Sequence, residues 1–541
     1  MIKPTATLAG APPVETPPED LVTYVERPGE KFLFASGERF VWDTLPVGTR
    51  IVNPRPPLPA LADPDGAIEH ALDHPLGCDP LSAKLRTGMK VTIAFDDISL
   101  PLPPMVKPDV RRRVITILLR RLAAAGVTDI HLIVAVSLHR HMREGELREV
   151  LGDDIVDAFW PARLYNHDAE DPDGNVYLGT TDRGEVVELN RRAVESDLLI
   201  YVNINLVSMD GGHKSVPIGL ATYRSVRAHH NVHTMMHSRS YMDPRHSALH
   251  ESCERMGTIV AEHVDLFTIE TTLNTRMFPP ALGFLNKRER DYALSDRANL
   301  FATRTLLDLM PLSVNRRIFG TIRSPYGLTG VHAGRTGLVH EKTLDNVFKQ
   351  QLVSVKDQAD ILIYGLAHIC PYNVNSIMNP ILVMCLGLGY MFNFYRGKPL
   401  VRQGGVMIFL HPVEYAFHAR HHPSYIDFFE KVLTETTDSS EIERRFEESF
   451  AHDERYRTLY RRHNAFHGVH PFYMWYWGTY GMRHVAKAIF VNPVSATAVR
   501  RMGFETARSL SEAIEMAQGI VGPSPRITWH RVPPISMVDV S

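Results

Sequence analysis

The chain has little cysteine: four residues in 541 (Cys78, Cys253, Cys370 and Cys385), scattered and with no Cys-x-x-Cys pair. That excludes a disulfide framework and a thiolate metal ribbon, and suits a reducing cytoplasm. A charge surplus is missing too, since 59 Lys and Arg face 61 Asp and Glu, a formal net charge of −2. Nucleic-acid and anionic-membrane binders depend on a basic excess, so neither partner is expected. Long apolar runs are also absent. The most apolar stretch, ILVMCLGLGYMF from Ile381, is closed by Asn393 and Arg396. It falls short of the roughly 20 residues of a spanning helix and reads as a buried helix. The first twenty residues, MIKPTATLAGAPPVETPPED, carry prolines and acids without an apolar h-region, so they read as a flexible tail. A soluble, cytoplasmic protein is expected.

What is present is an ordinary globular composition, 44% hydrophobic and 22% charged, with an unusually high 27 histidines. At roughly 100–200 residues per domain, the length suggests two to four domains. A Pro-rich run from Asn53 (NPRPPLPALADPDG) separates residues 1–60, a tail and lead-in segment, from the first strong βαβ pattern. Lys90–Asp96 (KVTIAFD) reads as a buried strand, the proline-rich DISLPLPP as a loop, DVRRRVITILLRRLAAAGV as a helix stopped by Gly126, and Asp129–Val136 as the next strand, parallel by the crossover rule. Asp197–Asn205 is a third strand, followed by a glycine-bearing loop and a helix from near Ala221.

The second half repeats the alternation. Ala359–Tyr364, Gly405–Leu410 and Ala486–Val491 read as strands, and Asn375–Phe394, Glu441–Arg462 and Glu505–Gln518 as helices. The expected fold class is α/β: two α/β domains with largely parallel sheets, over 61–280 and 281–541, the second closing over an interdomain cleft. Ligands in such sheets gather beyond the carboxyl ends of the strands. Asp96 and Asp97 close the first strand, and His139 and Arg140 follow the second, so topology brings them to one rim. The alternative for the aspartates is a plain turn pair.

DGGHKS invites comparison with a phosphate-binding loop, but that motif needs Gly directly before Lys, and here His213 precedes Lys214. Nucleoside-triphosphate hydrolysis is therefore disfavoured. Gly211 and Gly212 let backbone approach a ligand closely while presenting Lys214, as a point charge, a covalent attachment point or simply a solvated lysine. In the following RAHHNVHTMMH, His229, His233 and His237 are spaced by four and His230 and His233 by three. On a helix they share a face, as metal ligands do, although no His-Glu-x-x-His motif completes a zinc signature. His332, His340, His411 and the histidines of 418–422 read as surface or core residues, with His368 near the cleft after its strand.

The ordered set AFDDISLPLP, SLHRHM, GGHKSVPIGLA and HHN resembles the LarA-type lactate racemase family. Asp97-Ile98-Ser99-Leu100-Pro101 stands for the family's Asp-x-Thr-Arg-Pro, Leu138-His139-Arg140 for its Gly-x-His-Arg, and Gly211-Gly212-His213-Lys214 with Pro217 for its glycine–lysine loop. His230 stands sixteen residues after Lys214, where the family has a nickel ligand. ADILIYGL and QGGVMIFL extend the resemblance, more weakly, into the second half.

The resemblance implies a nickel-pincer nucleotide attached to Lys214 and ligated by His230, with Asp96, Asp97, Ser99, Gly211 and Gly212 contacting it. It also implies His139 as general base for hydride removal from a hydroxyl-bearing carbon, a small hydroxy acid as substrate, and cofactor-delivering biosynthetic enzymes as partners. Imidazole and soft sulfur suit square-planar nickel, and an imidazole titrates near operating pH.

Three departures stand out. The family's motif arginine is Leu100, its second catalytic histidine falls on Ile204 with Asn205 adjacent, and no lysine follows Cys370-Pro371-Tyr372 in NVNSIMNPILVM. Losing the cations removes charge-assisted bonds worth roughly 1.5–3 kcal/mol each. The expectation is a racemase- or epimerase-type isomerase whose substrate is larger or less acidic than lactate, with His213, His229 or His233 replacing the missing base. The alternatives are a one-sided redox enzyme with the same cofactor, a non-catalytic cofactor or metal holder, and a zinc hydrolase built on His229–His237.

Overall fold

The computed structural model describes residues 21–100 and 103–541; the tail expected over the first twenty residues lies outside them. Two sheets organise the chain. The first has six strands in the order Leu328–Gly334, Leu266–Leu273, Leu198–Asn205, Lys90–Asp96, Asp129–Ala135 and Leu164–Asn166, parallel except for the Leu328–Gly334 edge. Its central strand, LLIYVNIN, is buried along its whole length, as a strand covered on both faces must be.

The second sheet has seven strands in the order Val22–Tyr24, Arg50–Val52, Ile527–His530, Ala359–Gly365, Val401–Leu410, Lys487–Val491 and Glu505–Ala507. All neighbours are parallel except the first pair. The α/β fold class with mostly parallel sheets is thus observed.

The boundaries differ from those read in the sequence. The lead-in segment is structured: Val22–Tyr24 and Arg50–Val52 complete one edge of the second sheet, Arg50–Val52 pairing with residues near the other end of the chain. Nor does the first unit stop near 280, because Leu328–Gly334 pairs with Leu266–Leu273 and the helix Thr336–Gln351 packs on both.

Several helices are also redrawn. Glu441–Arg462 is interrupted at His452 and Asp453, where Asp453 caps a new helix, Glu454–His463. Glu505–Ala507 is a strand, and the helix expected there begins at Leu510. The apolar helix begins at Pro380, capped by Asn379, because a proline is accommodated in a first turn and not inside one. Among the described residues no helix is long and apolar enough to cross a membrane, and all four cysteines are free thiols.

The halves are joined by one apolar core that includes residues of both. The helix His470–His484 (HPFYMWYWGTYGMRH) is buried on nearly every face, the mark of a central helix. Its close contact with the 380–391 segment depends on Gly481, where a Cβ would lie 2.6 Å from the Leu388 carbonyl oxygen. Tyr241 Oη donates to the Trp477 carbonyl at 2.9 Å, tying the first half to this helix.

Glu447 is fully enclosed beneath it and accepts from Tyr476 Oη at 2.8 Å and Tyr223 Oη at 3.3 Å, with Arg227 Nε 3.3 Å away. Burial pushes its carboxyl up to about 7, against those bonds and the Arg227 charge. A carboxyl whose folded pKa is raised binds a proton more tightly folded than unfolded. Its contribution to stability is present at low pH and is lost as pH rises from the unfolded value, about 4.3, through the folded one. Glu447→Gln should therefore gain stability relative to the parent between pH 5 and pH 8. Urea midpoints at the two pH values check this, and a pH-independent difference would contradict it.

Candidate active site

The site forms where the first sheet's strands end. Arg111, near the start of the helix Val110–Ala124, donates to the Asp96 carbonyl at 3.0 Å and to the Asp97 carbonyl, fixing the turn after the first strand. Asp97 is buried. Its Oδ1 accepts from the Ser99 amide and its Oδ2 from Ser99 Oγ, both at 2.9 Å, and Oδ2 also lies 3.0 Å from His139 Nδ1. Burial raises the Asp97 carboxyl, but the His139 ring and the two Ser99 bonds outweigh it and hold the group below the ordinary range. An ionised carboxylate only accepts, so Nδ1 of His139 is the donor of this pair and Nε2 is the ring nitrogen turned away from Asp97. The ring is walled edge-on by Tyr372 and His470, with centroids 5.1 and 5.4 Å away.

Asp96 behaves oppositely. It accepts from the Ile204 amide at 2.7 Å and Asn203 Nδ2 at 2.9 Å, yet burial, reinforced by Asp210, pushes it up to about 7.

The glycine loop is a forced conformation. Gly211 and Gly212 have φ of +77° and +63°, and a Cβ on Gly211 would lie 2.2 Å from Asn205 Nδ2 and 2.5 Å from Glu270 Oε1. Glu270, fully buried on the Leu266–Leu273 strand, accepts from the Gly212 amide at 2.6 Å and pairs with His340 Nδ1 at 3.2 Å. This turn presents Lys214, whose Nζ donates to the Met209 carbonyl at 2.6 Å.

The helix Tyr223–His229 ends at His230, whose backbone is not helical. His230 Nδ1 lies 2.7 Å from His229 Nδ1, leaving Nε2 as the nitrogen available to the cavity. Burial, then the neighbouring His229 and Lys214, push its pKa well down, so the ring is neutral, the form that ligates metals.

These groups converge. A cavity of about 140 Å³ is lined by Asp96, Asp97, Ser99, His139, Gly211, Lys214 and His230 from the first half, and by Pro371, Tyr372, Tyr390 and Trp477 from the second. Leu100 and Ile204 line it too. Gly212 sits behind the loop against Glu270 and His340.

Other expected residues lie elsewhere. Arg140 turns away and grips Glu146 with both guanidinium nitrogens at 2.9 and 2.8 Å. Asn205 is buried and donates to the Asp210 carbonyl at 2.8 Å, supporting the loop. His213 points away from the cavity, where a Cβ on Gly257 would lie 2.4 Å from its Nδ1, and His229 is buried behind His230. His233 is exposed, paired with His237 at a centroid distance of 4.2 Å. None of these three replaces the missing base inside the cavity.

The expected continuous histidine face does not form either, because the chain leaves the helix at His230 and starts a new one, Val232–His237, capped by Asn231. Among the described residues no group of three or more His, Cys, Asp or Glu is arranged for a metal ion. His368 pairs with Glu38 at 3.2 Å, away from this cavity.

Sequence reasoning missed Glu270, Tyr390, Trp477 and His470. His470 Nε2 is buried with no partner, and its Nδ1 lies 2.6 Å from Tyr425 Oη. The available signal was the aromatic run HPFYMWYW, too apolar for surface helix.

Fold and site define an α/β protein of two parallel-rich sheets with a lysine–imidazole cavity between its halves. Residues 47–243 match the lactate racemase N-terminal domain, and over that stretch the chain is similar to LarA-type lactate racemases. It is 31% identical over 169 residues to the lactate racemase of Lactiplantibacillus plantarum, covering 30% of this chain and 38% of that one. It is 23% identical over 172 residues to the lactate racemase of Thermoanaerobacterium thermosaccharolyticum, covering 30% and 37%. The matched stretch is thus under two fifths of either relative's length.

The structural likeness reaches further. The lactate racemase apoprotein of T. thermosaccharolyticum superposes with a TM-score of 0.62 at 18% identity, covering 94% of this chain and all of that one. A Thermotoga maritima protein superposes at 0.50 and 14%, covering 88% of this chain and 98% of that one. At these identities the likeness concerns the fold.

Gly211→Ala should strain the loop through both its positive φ and the Asn205 and Glu270 contacts. The expected cost is roughly 1–3 kcal/mol, read from urea denaturation, and an unchanged midpoint would mean the loop relaxes freely.

Proposed function

We propose that the chain is a racemase- or epimerase-type isomerase acting on a 2-hydroxy acid or related hydroxy compound, with a nickel-pincer nucleotide held by Lys214 and His230. The observation that carries this reading is the shared cavity of Lys214, His230 and the Asp97–His139 pair. The residues fit the cofactor. Among the described residues the Lys214 amine bonds a backbone carbonyl and forms no ion pair. The side-chain-free Gly211 leaves backbone open to the cavity. A single neutral imidazole suffices where the cofactor brings its own sulfur donors, and imidazole suits nickel.

When bound, the group would supply a hydride acceptor and donor at the carbinol carbon. The chain's own part is proton handling and exclusion of water. His139 Nε2 takes the hydroxyl proton, and Asp97 holds Nδ1–H and stabilises the resulting imidazolium. Tyr372, Tyr390 and Trp477 cover the cavity from the second half, which lowers the local dielectric and strengthens the Asp97–His139 interaction. The partners of this reading are a small hydroxy compound and the enzymes that deliver the cofactor, in a reducing cytoplasm that suits four free thiols.

A second reading, a one-sided redox enzyme with the same cofactor, is favoured by Ile204 at the cavity wall, where the family places its second histidine. An aliphatic side chain cannot move a proton on the opposite face.

After co-expression with the cofactor-making enzymes, intact mass should show Lys214 modified and nickel bound, and Lys214→Ala should lose both. His139→Ala should keep the cofactor yet lose turnover, read as inversion at the carbinol carbon by chiral chromatography, and Asp97→Asn should slow it roughly 10²-fold or more. An unmodified Lys214 would overturn the proposal, as would full activity of the His139 variant. Formation of the keto compound, with the hydride left on the cofactor and no inverted alcohol, would select the one-sided reading.

A further inference from the structure

The cavity is poorly furnished for a carboxylate. Lys214 is the one Lys or Arg among its lining residues, and a covalently attached cofactor would consume it. Leu100 and Ile204 are apolar, Arg140 is committed to Glu146, and the carboxyls of Asp96, Asp97 and Asp210 line the same walls. A substrate carboxylate buried here would lack a guanidinium partner and face like charge, a costly arrangement.

Apolar chambers adjoin it instead. Val207 and Tyr390 line both the cavity and an adjoining chamber of about 30 Å³ formed with Leu386, Met391 and Phe394. Ala367, Ile369, Val532 and Pro533 line both that chamber and a pocket of about 190 Å³ beyond. Leu33, Phe278, Leu285, Leu306 and Trp529 help form this pocket, at the carboxyl ends of the Ala359–Gly365 and Ile527–His530 strands, the place where parallel sheets receive ligands. Its volume exceeds that of the roughly 150 Å³ apolar cavity that holds benzene.

We propose that the substrate is a secondary alcohol with a long apolar substituent, its carbinol beside His139 and its tail passing Val207 and Tyr390 to end in the pocket at Trp529. The proposal rests on the reading of His139 and Lys214 as the reacting site, and it gives that site a substrate class. The hydroxyl is the single polar group recognised, and the tail supplies affinity at about fourfold per buried methylene. The Leu100 and Ile204 replacements follow: a substrate without a carboxylate has no use for an arginine there, and an alkyl chain packs on leucine and isoleucine.

The test uses purified cofactor-free protein and calorimetric titration with 2-butanol, 2-hexanol, 2-octanol and 2-hydroxyoctanoate. The expected result is a steady tightening along the alcohols, on the order of 100-fold from 2-butanol to 2-octanol, with 2-hydroxyoctanoate no tighter than 2-octanol. Ala367→Phe, which narrows the passage, should erase the gain and leave 2-butanol unchanged. Trp529→Phe, which blocks nothing, should remove the part of the tryptophan fluorescence change that 2-octanol gives beyond 2-butanol, since Trp477 at the carbinol cavity responds to both. A flat series overturns the proposal, as does a gain that survives Ala367→Phe with fluorescence intact in Trp529→Phe, or 2-hydroxyoctanoate binding tenfold tighter than 2-octanol. These binding readouts need no cofactor, so failure to modify Lys214 would sink the isomerase reading while leaving the tail path measurable.

Discussion

A buried carboxylate holds the loop on which the site depends. Glu270 sits fully enclosed on a central strand and accepts the Gly212 amide at 2.6 Å, in a crevice that admits no side chain at Gly211. That bond, with the two positive φ values beside it, turns the chain sharply enough to direct Lys214 back beneath the strand ends. In a low-dielectric interior such a bond is strong, and losing it would leave the Gly212 amide without this acceptor. Lys214 and His230 share a cavity because this turn and the break after His229 are both fixed.

Around that anchor, environment divides similar groups into different roles. Asp96 and Asp97 are chain neighbours, yet burial raises the first to about 7 while His139 and Ser99 hold the second down. A carboxylate that stays ionised orients an imidazole, whereas one that shares its proton near neutrality donates or accepts according to its neighbours. The histidines divide similarly. His139 is aimed into the cavity by a carboxylate, His230 is kept neutral by burial, and His233 and His237 pack against each other on the surface.

The second half turns a strand-end site into an enclosed one. Tyr372, Tyr390 and Trp477 reach the cavity from segments far along the chain, and their helices come close enough because Gly481 removes a side chain from the crossing. The same packing leaves an apolar chamber between Tyr390 and Pro533, where polar recognition groups would have been expected for a small acid.

Much of the first half was legible because its signals are local. Unbroken apolar runs mark Lys90–Asp96, Asp129–Ala135 and Leu198–Asn205 as covered parallel strands, and the crossover rule then brings Asp97 and His139 to one rim. What could not be read depends on partners distant in sequence. The Arg50–Val52 strand pairs with the chain's last quarter, and the first sheet recruits Leu328–Gly334 past the expected boundary. Spacing put four histidines on one face, but spacing presumes a continuous helix, and the chain leaves the helix at His230. The sequence by itself determined which groups exist and which strand ends carry them, because periodicity and turn chemistry are local. Only the tertiary structure decided that Arg140 is spent on Glu146 and Glu270 on the loop, because a side chain's role is set by what surrounds it.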